Sequence, residues 1–440
     1  MSYASEETSA GRPAWRKFLD VPLAVPVACA ALSVALACIG ADRALAFTKA
    51  YGTGALACLA ALSVAVCSRM VSRPFVLALH LGFSLVLGGW VLNEISGGEE
   101  GSLTLAPGRS GDVAGVEQLT LDAFTIDRWE DTGAVRQYTS KVRNAKGEEL
   151  SISVNHPAVF GQWWVYQNSY QEMQNPHTGE PFYLTVLLCV RDVGLPIAAF
   201  GAALLMFGAL GYAFTFTRKT RPAEAATKHV PPRALTVLYG LAFLGAAAML
   251  VHRGLATGHP PMQNMYEFLM CTAAMLPMLT FVSAKLDGQN TMLVDSALLA
   301  LVTVPVAFFM DGSVKRLMPA LQSPFFVPHV GAYVIGYVLL VRAAFGAGRR
   351  LAGVGFFLLT LGLVLGAAWG KICWGHWWQF DPKEMWSLAT WLLYVAYFHV
   401  RGRLSARADR AFLVAGAAMI VLTLTWINLS RLFTGMHSYA

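Results

Sequence analysis

The chain has 440 residues, 56% of them hydrophobic and 13% charged, with a mean hydropathy of +0.51, whereas soluble globular proteins hold roughly 45–50% apolar residues. This excludes an ordinary soluble enzyme and points to a polytopic membrane protein. The net charge of +7 does not imply nucleic acid, because the basic residues fall in short segments between apolar runs, as positive-inside topology requires.

Arg12, Arg16 and Lys17 precede an apolar stretch from Val21 to Gly40, with Ala44-Leu45-Ala46 after it. These flanks resemble a signal peptide, but a run of about 20 residues crosses a hydrocarbon core of about 30 Å, so the segment is read as a retained helix. Runs suited to spanning helices follow one another near 21–41, 51–68, 74–93, 192–216, 234–251, 264–284, 291–310, 329–346, 351–370, 386–400 and 411–428. The expected fold is an all-α polytopic membrane protein of about eleven transmembrane helices with one small β-rich extracytoplasmic domain. With the N-terminus cytoplasmic, the cytoplasmic segments hold 17 Lys and Arg against 8 on the other side, leaving aside residues 94–191. That bias sets the orientation and puts the C-terminus outside.

Residues 94–191 form the sizeable hydrophilic region after the first membrane helices (1–93). Segments such as QLTLDAFTI, ELSISV and FYLTVLL alternate with period two between Gly, Pro, Asn and Asp, the pattern of strands and turns. Trp163, Trp164, Tyr166 and Tyr170 are read as the core of that β domain. A fourth helix (192–216) leads to RKTRPAEAATKHVPPR, a basic, proline-containing cytoplasmic linker over 217–233, and the remaining residues, 234–440, form a second membrane domain. A fusion of two modules fits this division.

Seven cysteines (Cys29, Cys38, Cys58, Cys67, Cys189, Cys271 and Cys373) lie in or beside apolar runs with no C-x-x-C spacing, so they read as small buried hydrophobes. The histidines are more informative. An ionisable group inside a bilayer costs about 2.5 kcal/mol or more, so an intramembrane histidine is a functional candidate. His80 lies six residues after Pro74 in an outward-running helix, about 9 Å deep at about 1.5 Å per residue. His399 lies just before Arg401 in an inward-running helix, so both fall in the cytoplasmic half of the membrane. On the outer side, His329 opens another helix and His437 sits in the C-terminal tail. His156, His177 and His229 read as surface residues.

Between Trp374 and Trp391 runs WGHWWQFDPKEMWSLATW, with five tryptophans. An aromatic belt at the headgroups explains one or two tryptophans per helix end. It leaves unexplained Trp374, Trp377, Trp378 and Phe380 beside Asp381, a set suited to a flat, apolar, partly charged ligand. Haem fits two histidine layers and an aromatic shelf, since imidazoles supply axial ligands and cations meet propionates. A zinc site would want more tightly spaced ligands and no indoles. Asp381 either contacts the ligand or anchors the loop to a backbone N–H or to Lys383.

On these residues the chain resembles the system II cytochrome c synthases, in which a ResB-like (CcsB) module is fused to a CcsA-like (ResC) haem-handling module. WGHWWQFDPKEMWSLATW is similar to the family's tryptophan-rich WWD signature, and GHPPMQNMYEF (258–268), LMPALQSPFFVPHVGAY (317–333), YFHVR (397–401) and GMHSYA (435–440) to its other signatures, in order. In the first half, HLGFSLVLGGW (80–90), WWVYQNSYQ and VRDVGLPIAAFGAALLMFG resemble the ResB module. Phe380 stands where the family usually has another tryptophan, and the extracytoplasmic domain is short for a ResB module.

The resemblance implies that His80 and His399 ligate haem b arriving from the cytoplasmic side, and that His329 and His437 ligate its iron at the outer site. Trp374, Gly375, Trp377, Trp378, Phe380, Asp381 and Trp386 would hold the macrocycle there. The catalytic group would be His329, His437, Trp374, Trp377, Trp378 and Asp381. It further implies a holocytochrome c synthase of the bacterial cytoplasmic (inner) membrane, with haem, apocytochrome c, the lipid membrane and thiol-reducing proteins as partners and no nucleic acid. The alternatives are a haem chaperone serving a separate ligation subunit, and a transporter of another amphipathic cofactor.

Overall fold

A computed structural model describes residues 21–67, 70–96, 99–174, 179–219, 233–287, 291–346 and 349–429. The described residues form eleven helices and two four-stranded antiparallel sheets. The first helices are α1 (Val21–Ile39), α2 (Ala41–Cys67), α3 (Pro74–Ile95) and α4 (Leu195–Lys219). After the linker come α5 (Arg233–Thr257), α6 (Met265–Asp287), α7 (Met292–Phe309), α8 (Phe326–Ala344), α9 (Ala352–Trp374), α10 (Pro382–Val400) and α11 (Ala406–Leu429).

Seven of these, α2 to α6 with α8 and α9, are long and apolar enough to cross a membrane, and α1 and α7 carry shorter apolar stretches. The chain is a multi-pass membrane protein, although the expected eleven spans are met only in part. The sequence of α10 shows why: it opens on Lys383 and Glu384 and closes on His399. It lies among other helices, with Met385, Ala389, Thr390, Tyr394 and Ala396 buried, so protein and not lipid sets its composition. A second difference lies at α2, which begins at Ala41 and not near 51. Gly40, at φ 88°, turns the chain between α1 and α2, and a π-helical turn over Thr48–Gly52 carries the helix onward.

Small residues set the closest helix pair. Antiparallel α3 and α4 meet along Gly82 and Gly89 on one side and Gly194, Gly201 and Gly208 on the other, where a Cβ on Gly89 would stand 2.8 Å from the Ala198 nitrogen and the Gly194 oxygen. Without a hydrophobic driving force between helices in lipid, backbone approach of this kind supplies the packing. The two halves interleave. Phe216 of α4 packs at Gly353 of α9, the Arg350 Nε donates to the Thr217 carbonyl at 2.8 Å, and α1 lies along α10. Deeper in the second half, Arg342 and Asp295 are both fully buried and joined by two bonds of 2.7 and 3.0 Å, with Thr280 and Thr291 also donating to the carboxylate.

The β domain has strands β1 (Glu99–Leu105), β2 (Ser110–Val113), β3 (Glu117–Arg128), β4 (Val135–Asn144), β5 (Glu149–Ser153), β6 (Ala158–Phe160), β7 (Trp163–Gln174) and β8 (Pro181–Arg191). One sheet has the order β1-β8-β7-β6 and the other β2-β3-β4-β5. Between them Leu119, Leu121, Val142, Ile152, Trp163, Val165 and Leu187 form the core, as period-two alternation requires. Of the expected core aromatics, Trp163 lies there, while Tyr166 is buried beneath Gly375 of the second half, with Trp164 stacked on it. Tyr170 joins Phe124, Tyr138 and Tyr183 in a separate aromatic group. His156 is exposed, whereas His177 and His229 lie outside the described residues.

Candidate functional site

The histidines of the first and second halves meet. The rings of His80 on α3 and His399 on α10 stand edge to face with centroids 5.8 Å apart. Each ring is oriented by its own helix: the His80 Nδ1–H donates to the Val76 carbonyl at 2.9 Å and the His399 Nδ1–H to the Val395 carbonyl at 2.7 Å. A carbonyl only accepts, so this fixes the Nδ1–H tautomer and leaves Nε2 as the nitrogen of each ring that could bind a metal. Two imidazoles bound to one metal at about 2 Å each stand roughly 6 Å apart between centroids. Ser63 of α2 and Ser84 of α3 both donate to the His80 carbonyl, at 3.0 and 2.8 Å, which pins the backbone there. His80 is half-buried and His399 exposed. Both lie at the helix ends remote from the β domain, roughly 22–25 Å away at about 1.5 Å per residue.

Arg401, two residues past His399, holds its guanidinium 4.1 Å from the centre of the Phe216 ring. Phe398 packs edge-on against Phe216 and Tyr212. An aromatic wall from α4 and α10 therefore adjoins the histidine pair.

At the other end, His329 lies in the first turn of α8. Its Nδ1 is 2.8 Å from the Gly362 carbonyl of α9, and its ring packs edge-on against Tyr333 (5.0 Å) and Trp369 (5.7 Å). Trp369 in turn stacks on Trp374 at 6.0 Å, so an aromatic path joins His329 to the start of the tryptophan loop. His437 lies outside the described residues.

The loop is held from both ends. Gly375, at φ 86°, ends α9 in the left-handed conformation a glycine takes without strain. Asp381 caps α10: its Oδ1 accepts from the Lys383 backbone N–H at 2.8 Å, while Glu384 reaches back to the Gln379 and Asp381 N–H groups, with Pro382 in the first helical position. This is a capping box, and Asp381 anchors the loop. Trp378, Phe380 and Trp386 pack on Leu36, Ala37 and Ala44 of α1 and α2. Trp374, Trp377 and Trp378 stay half-buried, whereas Gly375, Phe380, Asp381 and Trp386 are buried. The aromatic residues thus fall into two groups, one toward His329 and one against the N-terminal helices.

The first half also grips this region through residues that the sequence reading passed over. Asp192, just after β8, pairs with Lys371 of α9 at 3.2 Å and accepts the Trp377 indole N–H at 3.1 Å, while the Lys371 Nζ donates to the Gly375 carbonyl at 3.0 Å. His376 stands 3.7 Å from Glu100 of β1 and holds that carboxyl below the usual carboxylate range. The signal for Lys371, and for Asp295 and Arg342, is a charge inside an apolar run.

Comparison with known proteins places this arrangement. A ResB-like family model matches residues 63–331, more than half of the chain. The chain belongs to the ResB-like family. A second model, the cytochrome C assembly protein, matches residues 347–437 and so covers the tryptophan loop and α10. Similar curated proteins include the cytochrome c biogenesis protein CcsA of Prochlorococcus marinus (strain MIT 9303), 27% identical over 59% of this chain and 98% of that protein. The protein of the same name from Synechococcus sp. (strain RCC307) is 29% identical over 56% of this chain and 94% of its own length. That of Chlamydomonas reinhardtii is 27% identical over 46% and 67%. The chain thus joins a ResB-like part to a segment matched by the cytochrome C assembly protein model.

Proposed function

We propose that this chain takes haem b from the cytoplasmic side of a bacterial inner membrane, carries it outward and attaches it to the C-x-x-C-H segment of an apocytochrome c. The observation that carries the reading is the meeting of His80 and His399, at a spacing suited to one iron, with both Nε2 atoms left for it. Haem is cargo and substrate. His80 and His399 receive it, and His329 with His437 ligates it at the outer end, where Trp374, Trp377 and Trp378 line the approach. Arg401 is placed to meet a propionate.

The chemistry asks little acid–base work of the protein. Each cysteine S–H adds across a vinyl C=C: the new S–C bond forms at the carbon next to the ring and the thiol proton ends on the terminal carbon, with no net change in electrons. The chain orients the macrocycle, keeps both vinyl groups toward the thiols and excludes competing reactions, so rate arises from proximity. Asp381 acts through the loop by capping α10.

The test is the absorption spectrum of the detergent-purified protein, oxidised and dithionite-reduced, with a pyridine haemochrome assay. Co-purifying b-type haem with a low-spin, bis-imidazole spectrum is expected. A protein that holds no haem and takes none up on titration would overturn the reading in favour of another planar cargo.

A further inference from the structure

The loop that carries the tryptophans and the loop that leads to His329 are far apart in the sequence, yet both are held by the first half of the chain. On one side, Asp192 stands where the chain leaves β8, with its carboxylate between the Lys371 ammonium and the Trp377 indole. The ion pair is almost fully buried, with side-chain exposures of 9% for Asp192 and 5% for Lys371. Lys371 passes the grip on to the Gly375 carbonyl, and Tyr166 and Leu188 fill the space beside Gly375, where a Cβ would stand 3.1–3.2 Å from their side chains.

On the other side, Asn155 is buried in the turn between β5 and β6 at φ 67°. Its amide donates to the carbonyls of Pro319, Ala320 and Gln322 at 3.0, 3.2 and 3.1 Å. Gln322 returns a bond to the Arg136 carbonyl at 2.8 Å, the Trp129 indole reaches the Leu317 carbonyl at 3.3 Å, and Arg316 pairs with Asp131. The gripped turn then turns directly into α8, where the His329 N–H bonds back to the Phe325 carbonyl. Trp369 links the two grips, since its indole donates to the Ala320 carbonyl while its ring lies between His329 and Trp374.

We propose that Asp192 and Asn155 are positioning residues for the outer site, which hold the tryptophan loop and the His329 approach in one register. The functional half of this inference rests on the haem-attachment reading. Its physical basis is that side chains held within about 0.5 Å need a supporting shell, and a displacement of about 1 Å costs up to about 100-fold in rate. It also gives the β domain a role: the first half of the chain supplies the clamps for a site whose ligands lie in the second half.

The test uses the full chain in detergent with Asp192→Asn, which keeps the shape and removes the charge, and Asn155→Gly, which keeps the left-handed backbone and removes the amide. Amide hydrogen exchange is followed over 375–381 and over 316–323, a readout that needs no haem. Asp192→Asn is expected to speed exchange at least about tenfold in 375–381 alone, and Asn155→Gly in 316–323 alone, because each clamp opens locally. Each variant is then expected to lower the saturated rate of thioether formation about tenfold or more, at an unchanged half-saturating apocytochrome concentration and an unchanged His80/His399 haem spectrum. Exchange unchanged in both segments, exchange raised equally over every helix, or full attachment rates despite local opening would each overturn the proposal. A wild-type chain that holds no haem sinks the attachment reading instead, and the exchange pattern still decides the clamps.

Discussion

His80 and His399 stand with ring centroids 5.8 Å apart, although one belongs to the ResB-like half and the other to the cytochrome c assembly segment. The pair draws one ring from each half. Haem ligation by this pair predicts that His80→Ala and His399→Ala each lower haem per polypeptide at least about tenfold, since even losing a group that only hydrogen-bonds a metal's ligand costs about 10–100-fold. The haemochrome assay measures this directly, and a double variant with wild-type haem content would exclude the pair as ligands.

Separating the helix pair that carries His80 should have a similar, weaker effect. In Gly89→Ala the new methyl group meets backbone atoms of Ala198 and Gly194 at 2.8 Å, and backbone cannot swing aside. Overpacking of this kind costs about 1–3 kcal/mol. The expected outcome is a lower thermal unfolding temperature in detergent together with partial haem loss, whereas Gly88→Ala, which meets open space, should leave both unchanged.

The buried Asp295–Arg342 pair gives a stability prediction independent of haem. Removing one partner leaves an uncompensated charge among α6, α7 and α8, so Asp295→Ala should cost about 3–5 kcal/mol. Replacing both by apolar residues of like volume should recover most of that loss. Denaturant titration of the single and double variants decides it, and equal losses in the two would contradict an ion-pair role.

Asp381 separates two roles for a signature residue. As the N-cap of α10, its replacement by Ala should cost about 0.5–2 kcal/mol, whereas Asn, also a good cap, should cost much less. If capping is its contribution, Asp381→Asn retains attachment activity while Asp381→Ala loses stability and activity together. Loss of attachment in Asp381→Asn at full stability would point to direct contact with haem.

At the acid end, Glu100 provides a pH signature. His376 and, to a lesser extent, Lys49 hold its carboxyl below the usual carboxylate range. A depressed acid contributes stability above its unfolded pKa and loses it as pH falls through the folded one. The contact between β1 and the tryptophan loop should therefore persist at neutral pH and weaken below about pH 4. Glu100→Gln is expected to flatten the acid limb of the stability profile, read by thermal unfolding across pH 3–6.

Much of the architecture follows from one-dimensional physics. The number and order of the eleven helices were legible as apolar runs, the strands of the β domain as period-two alternation, and the placement of His80 and His399 toward the same end of their helices from counting residues at a fixed rise. The resemblance of the tryptophan-rich segment to a known signature pointed to the cytochrome C assembly model that matches it. The start of α2 was hidden because Asp42, Arg43 and Lys49 interrupt the apolar run there, while Gly40 turns the chain before it and a π turn carries the helix onward.

Only the tertiary structure decided which side chains meet. Nothing local links Asp192 to Lys371 and Trp377, or Asn155 to the turn before α8, because these contacts join segments more than a hundred residues apart and depend on how whole helices cross. Asp381 differs, since its cap is local: the Lys383 amide and the Glu384 carboxylate that complete it lie within three residues along the chain. Periodicity and length determine what a segment is, since they act on neighbours along the chain. Partners across the fold are set by packing, which no stretch of sequence contains by itself.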